Sequence, residues 1–492
     1  MKKTFFCLVS IFLLLTNATA QTNIPSDTIV SATLSGTILD EKNEHPLPYA
    51  NIINLNNGKG TISNEHGNFT IDIANLKMND TIRFQCIGYK TKELTIERIA
   101  NTTPILLSEN IYTLDEVLNL GTFPNPVEIV KGILENRELN YKNTPHKKQV
   151  FIRERSTTDI LNFKLNFKKS NISELNPEMI QKIEEKTPKH SQSYSDLLTN
   201  IYIQEEANLK LVPIKTVALK SEDITELDNF MPLIESVFKN TTEEEYWRVK
   251  TGILGIKVNF IAPDSTKKEK LRPYKNSIKD YLGFTTFNDE DQWEFLHKTK
   301  KYNFKIIGGT SIDNESVYII DFTPKKKGVY EGRLYISVET SALIRADYKY
   351  SPDKLGTNIQ ILGIGYKQTN FTGSIYFEKK EHNYQLKYLS YQNNYKVSID
   401  RKIALQKKKK RFLINKKLQE IKVGLDFTQE NNESIELLVI DQFPISEQSF
   451  DKFEEGKYMD ITYVNQFNEN LWKGYTTITP TKQMKEYKKL EK

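Results

Sequence analysis

Lys59-Gly60-Thr61-Ile62-Ser63-Asn64-Glu65-His66-Gly67-Asn68-Phe69-Thr70 sets an asparagine, a glutamate and a histidine side by side between two glycines. Such side chains bind metals and move protons. Asn and Gly also make tight turns, because both tolerate the backbone that turns require. The flanking residues favour the turn. Residues 60–63 and 68–73 read as short strands, and Phe69 alternates to one face. Working outward, residues 33–39, 50–55, 81–87 and 93–96 also read as strands, with His45-Pro46-Leu47-Pro48, Asn56-Asn57-Gly58 and Gly88-Tyr89 between them. Short strands at this spacing, punctuated by Gly, Pro and Asn, predict a β-sandwich over 33–107.

The motifs fall in a definite order. Gly36-x-Ile38-x-Asp40 comes first, then Pro46-Leu47-Pro48-Tyr49-Ala50-Asn51-Ile52. Gly60-Thr61-x-Ser63-Asn64-Glu65-x-Gly67-x-Phe69 and Ile87-Gly88-Tyr89-Lys90-Thr91 follow. This order resembles the carboxypeptidase regulatory-like domain, most of all the version at the N-termini of exported Bacteroidota proteins. The resemblance implies a seven-stranded, transthyretin-like sandwich with no catalytic residues of its own. Its signature positions here are Gly36, Asp40, Pro48, Gly60, Thr61, Gly67, Phe69, Gly88 and Tyr89. His66 falls at the family's variable position, so catalysis there is not expected. Thr113-Leu114-Asp115-Glu116-Val117 extends the likeness toward outer-membrane transporters. Pro124, Pro126 and a helical pattern follow instead of a plug, and the remaining length is short for a large barrel.

The N-terminus has the pattern of a secretory leader over 1–20: Lys2 and Lys3, an apolar run at 5–15, and Ala18-Thr19-Ala20 before Gln21. Cys7 lies inside the apolar run, so no lipid anchor is expected. Cleavage leaves Cys86 alone, so an internal disulfide is excluded. The formal charge is +6 over 492 residues, with 69 Lys and Arg interspersed with 63 Asp and Glu. That is a solvated surface and not a nucleic-acid footprint. The dense basic run Lys407-Lys408-Lys409-Lys410-Arg411 reads as a charged loop or strand edge that discourages pairing, or as a contact for anionic lipid headgroups or polysaccharide.

A linker at 108–126 precedes a β-rich α+β body over 127–492. Residues 127–141 carry apolar side chains at a helical period. Strands are expected at 149–155, 161–167 and 201–215, and helices at 177–185 and 229–239. From Tyr302 a meander is expected at 304–308, 317–322, 330–338 and 342–350, continuing at 373–377, 384–391 and 395–399. Around 300–400 it resembles the sheet of lipoprotein-carrier-type proteins; a small barrel is the alternative. Residues 435–440, 460–464 and 472–475 are expected to return to the sheet edge, and 483–492 to form a short charged helix or a frayed end.

The chemistry-bearing motifs are sparse. The six histidines, His45, His66, His146, His190, His297 and His382, form no HExxH or HxH pair, and CxxC, GxSxG, P-loop and GxGxxG patterns are absent. Gly308-Gly309-Thr310-Ser311 reads as a turn between strands. Asn288-Asp289-Glu290-Asp291 lacks the central Gly of a calcium loop and reads as a helix cap before Trp293. The 25 Tyr and 25 Phe suit β-strands and cores, with stacking on sugar rings as the sharper reading. No catalytic, cofactor or metal site is expected. The chain reads as a non-enzymatic exported envelope protein, at the periplasm or outer-membrane periphery, with an envelope protein, glycan or lipid as partner and no nucleic acid. A lipid or lipoprotein carrier and an envelope hydrolase are the alternatives.

Overall fold

The computed structural model describes residues 33–73, 76–100, 102–112, 125–141, 145–205, 208–219, 244–252, 254–258, 269–411 and 415–486. The expected leader, residues 113–124 of the expected linker and the helix expected at 229–239 lie outside them. The fold is mainly β, with the sandwich first, as the strand pattern predicts.

The sandwich is built from β1 (Thr33–Asp40), β2 (Asn51–Asn54), β3 (Gly60–Ile62), β4 (Asn68–Asp72), β5 (Thr81–Gln85), β6 (Lys92–Thr95) and β7 (Ile105–Leu107). One sheet has the order β4-β1-β7 and the other β3-β2-β5-β6. β1 pairs antiparallel with β4 and parallel with β7. Alternation sends Ile38, Phe69 and Ile105 from one sheet against Ile52, Ile82 and Phe84 from the other, all buried. Phe69 meets Phe84 edge-on, with ring centroids 5.4 Å apart.

The body has β8 (His146–Ser170), β9 (His190–Glu205), β10 (Asn208–Leu219), β11 (Glu245–Thr251), β12 (Leu254–Val258), β13 (Glu269–Lys270), β14 (Tyr302–Ile312), β15 (Glu315–Pro324), β16 (Tyr330–Ser337), β17 (Leu343–Tyr350), β18 (Asn358–Ile361), β19 (Ile364–Lys380), β20 (Asn383–Lys409), β21 (Lys416–Pro444), β22 (Tyr458–Met459) and β23 (Thr462–Val464). A single large sheet runs β14-β15-β16-β17-β19-β20-β21-β8-β9-β10-β23. β11 adds to the far half of β20, β12 to β11, and β18 to β19. The path ends at β14 and β23, so among the described residues the sheet is open and not a barrel. β23 lies parallel to β10 at the edge, where 460–464 was expected to return, whereas 435–440 lies inside the sheet, in β21 between β20 and β8.

Three further expectations need correction. Residues 149–155 and 161–167 are one 25-residue strand, and 384–391 and 395–399 are one 27-residue strand. Ser156 to Asp159 and Asn393-Asn394 resemble turn signals, yet they pair across to β21. The helix over 127–141 is interrupted: α1 (Pro126–Glu135) is capped by the Asn125 side chain, and Asn136, with φ −101°, separates it from a single helical turn at Arg137–Asn140. The basic run is no edge, because Lys407 to Lys409 lie in β20 between β11 and β21.

Further helices are α2 (Pro177–Lys186), α3 (Leu271–Gly283), α4 (Glu294–His297) and α5 (Glu447–Lys452). α1, α3 and α4 cover one sheet face. Val130, Ile133, Ile278, Tyr281, Trp293 and Phe295 pack there against Val150, Ile152, Phe322 and Tyr348. Phe295 stacks on Phe322 with centroids 4.4 Å apart, and the Tyr281 hydroxyl donates to Glu154 at 2.6 Å. α2 covers the same side farther out, with Ile180 against Trp247 and Ile421. The sandwich sits on the opposite face.

Candidate functional site

The sandwich meets that opposite face along a polar seam, and the turn between β3 and β4 lies within it. Asn64 organises the turn: its side-chain oxygen accepts from the His66 N–H at 2.9 Å and the Asn68 N–H at 3.0 Å. Gly67 has φ +73°, a left-handed backbone, and a Cβ there would lie 2.6 Å from the Ile38 carbonyl oxygen. His66 points to solvent beside Glu65, its Nε2 3.8 Å from a Glu65 carboxylate oxygen. Asn64 and Gly67 thus build the turn that the sequence pattern predicts. Among the described residues no group of three or more His, Cys, Asp or Glu side chains is placed to hold a metal.

The turn does more than reverse the chain. The Thr61 hydroxyl donates to the Thr477 carbonyl at 2.8 Å, and the Asn64 amide donates to the Thr479 carbonyl at 3.2 Å. The carbonyl between them, that of Ile478, accepts from Arg153 at 2.9 Å. Three successive carbonyls of the C-terminal segment are thus held from two sides, by the sandwich and by β8. Arg153 also makes a two-pronged pair with Asp196 on β9, both bonds 2.8 Å, and both side chains are buried. Burial alone would lower the guanidinium pKa, but Asp196 outweighs it and raises it. Trp472 closes the segment by packing edge-on against Phe151, with centroids 5.3 Å apart.

Farther along the seam Tyr49 packs on Tyr388 with centroids 4.8 Å apart, and the Tyr388 hydroxyl donates to Glu436 at 3.3 Å. Burial pushes the Tyr49 phenol up to about 12, with Glu436 adding to it. Burial also raises the Glu436 carboxyl, which Arg153 and Arg155 partly offset. Arg345 pairs with Asp347 at 2.8 Å, and Ser374 donates to the same carboxylate at 2.6 Å. Burial raises the nearby Cys86 thiol, opposed by the Arg345 charge. That direction is away from a reactive thiolate. Gln85 donates to Asp313 at 2.9 Å. Asn51, 1 % exposed, has neither amide atom hydrogen-bonded.

The other signature residues are structural. A Cβ on Gly36 would meet the Phe69 ring at 2.8 Å, and one on Gly60 would meet the Ile52 carbonyl oxygen at 2.1 Å. Pro48 precedes Tyr49, whose φ is +61°. Gly88 has φ +87°. The buried Asp40 accepts from the Lys42 and Asn43 N–H groups and from the Tyr89 hydroxyl at 2.8 Å. Burial alone would raise the Asp40 carboxyl, but these donors hold it below its ordinary value. The structure therefore brings Thr61 to the seam with Asn64 and leaves Gly36, Asp40, Phe69 and Tyr89 within the sandwich.

Two glycine and acid motifs resolve similarly. Gly308 and Gly309 lie inside β14 and not in a turn. Gly309 exchanges backbone hydrogen bonds with Tyr112, and a Cβ on Gly308 would lie 2.8 Å from the Tyr112 carbonyl oxygen. Asp289 accepts from the N–H groups of Asp291 and Gln292, both at 3.0 Å, and organises the turn entering α4. Sequence reasoning missed Arg153 and Asp196. The one available signal was an arginine within the otherwise apolar run Val150-Phe151-Ile152.

Comparison with known proteins bears on the sandwich. Residues 34–118 match the CarboxypepD_reg-like domain. No curated protein matches the chain. Among solved structures, the Pseudomonas aeruginosa MucA/MucB complex aligns at 6 % identity over 66 % of this chain and 100 % of that one, with a TM-score of 0.18. MucB in complex with MucA(peri) aligns at 8 % identity over 62 % and 94 %, with a TM-score of 0.17. At these scores the likeness assigns neither fold nor function. The N-terminal part of this chain is a carboxypeptidase regulatory-like domain.

Proposed function

We propose that this chain is a non-enzymatic, exported protein of the cell envelope, in the periplasm or at the outer-membrane periphery. The sandwich acts as its assembly module, and the β-rich body presents the surface that binds an envelope partner. The observation that carries this reading is the use of the signature turn: Thr61 and Asn64 hold backbone carbonyls of the C-terminal segment. A module that works by gripping extended backbone is an assembly device. The leader-like N-terminus supports export.

A carrier would keep lipid on the helix-covered face, but Ile278, Tyr281, Trp293 and Phe295 already pack there. A hydrolase of the thiol type would use Cys86, whose thiol burial moves away from reactivity. Both readings therefore rank behind. The test is in-cell cross-linking of the tagged full chain. Cross-links from the body to one envelope protein, at near-stoichiometric yield, support the proposal. Turnover of peptide, ester or glycoside substrates by the purified chain, or stoichiometric lipid in its mass spectrum, would overturn it.

A further inference from the structure

Beyond the sandwich, β8, β20 and β21 run on together, joined by β11 and β12. α2 covers one face of this distal sheet. The other is the continuation of the sandwich-bearing face. Register fixes what it carries. Lys250, Ala404, Lys422 and Lys169 form one row across β11, β20, β21 and β8. Lys402, Gly424 and Asn166 form the row on one side, and Arg248, Gln406 and Glu420 the row on the other. Lys169, Lys250, Lys257, Lys402, Lys417 and Lys422 are exposed.

The acids on this face include Glu420 and, one row inward of Lys402, the facing pair Asp400 and Asp426. Glu420, 3 % exposed, answers Lys417 at 3.0 Å and Lys422 at 3.7 Å. Lys169, Lys250 and Lys402 have no acidic partner among the described residues. Two lysine pairs stand directly opposite each other on this face, Lys169 with Lys422 and Lys408 with Lys417; Lys409 alternates to the other face, where Glu244 answers it at 3.4 Å. Like charges directly opposite weaken a sheet. Protection of an exposed edge does not account for Lys250 and Lys422, which have paired strands on both sides. An anionic surface laid on this face would relieve the repulsion.

A second feature tells which anionic surface. The tight turn from β18 to β19 exposes Ile361 and Leu362, at 60 % and 66 %. It abuts the inner margin of the basic face: the Gly363 carbonyl accepts from the Asp400 N–H at 2.7 Å, and Gly363 lies against Arg401. Lysines beside an exposed apolar tip fit a bilayer interface, where the charges meet headgroups and the tip enters the boundary layer. A soluble polyanion has no use for the tip.

We propose that this distal face docks the protein on a bilayer bearing anionic phospholipid headgroups, with Ile361 and Leu362 entering the headgroup layer. This stands apart from the partner-binding reading and does not depend on it. The test is co-sedimentation of the full chain with phosphatidylcholine vesicles, with and without phosphatidylglycerol, at low and high salt. The expected result is salt-sensitive binding to the anionic vesicles only, weakened at least about tenfold by the combined Lys169→Glu, Lys250→Glu and Lys402→Glu variant. Wild type and variant share the apolar residues 5–15, so their difference reads the basic face. Ile361→Ser with Leu362→Ser should abolish the part of the binding that survives high salt. A cooperative thermal melt at or above that of wild type shows that the variants fold. Equal binding to neutral vesicles, no effect of the charge reversals, or retention on heparin without vesicle binding would overturn the proposal.

Discussion

Gly67 and His66 are neighbours in the chain with opposite weight. Gly67 holds a left-handed backbone against the Ile38 carbonyl, so Gly67→Val should destabilise by more than about 2 kcal/mol through strain and overlap. His66 faces water, so His66→Ala should stay within about 0.5 kcal/mol. Urea denaturation of the two variants checks this, and a reversed ranking would refute the turn reading. Asp40 sets an acid limit. Its folded pKa lies below its unfolded value of about 3.9. It therefore stabilises the fold at neutral pH, and that contribution is lost as pH falls through the folded value. Asp40→Asn should be less stable at neutral pH and flatter toward acid, as read from unfolding curves across pH. The signature residues were legible in the sequence because each answers a local demand: a positive φ, a close approach, a cap. Arg153 and Asp196 were not, because nothing local distinguishes a buried arginine from a surface one.

At the level of elements, alternation made most strands visible, and the meander from β14 to β17 appears almost where the pattern puts it. Strand length was not visible. Ser156 to Asp159 and Asn393-Asn394 look like breaks until partners on β21 satisfy them. The basic run likewise looked like an edge, since a sequence does not show which strand lies beside it. The lysine register supplies a test here. Lys169→Glu places opposite charges across from each other at Lys422 and should stabilise the fold by about 0.2–1 kcal/mol. A loss of melting temperature would contradict the register of β8 and β21.

The whole molecule is tied together where its two ends meet. Its fold class was readable from composition and period, but the joining of sandwich, sheet and tail was not. Those contacts link positions 416 and 415 residues apart. A chain ending at Tyr475 should lose the clasp, so that the sandwich melts as a separate calorimetric transition ahead of the body. A single unshifted transition would show that the tail is dispensable.

The same clasp fixes an order of events during biogenesis. Thr61 and Asn64 are made 416 and 415 residues before the Thr477 and Thr479 carbonyls that they hold. Loop closure over such a separation is slow compared with local strand pairing. The sandwich can form first, yet its outer turn must wait until the segment around Ile478 has been made. The clasp therefore closes only on a chain made at least as far as Thr479.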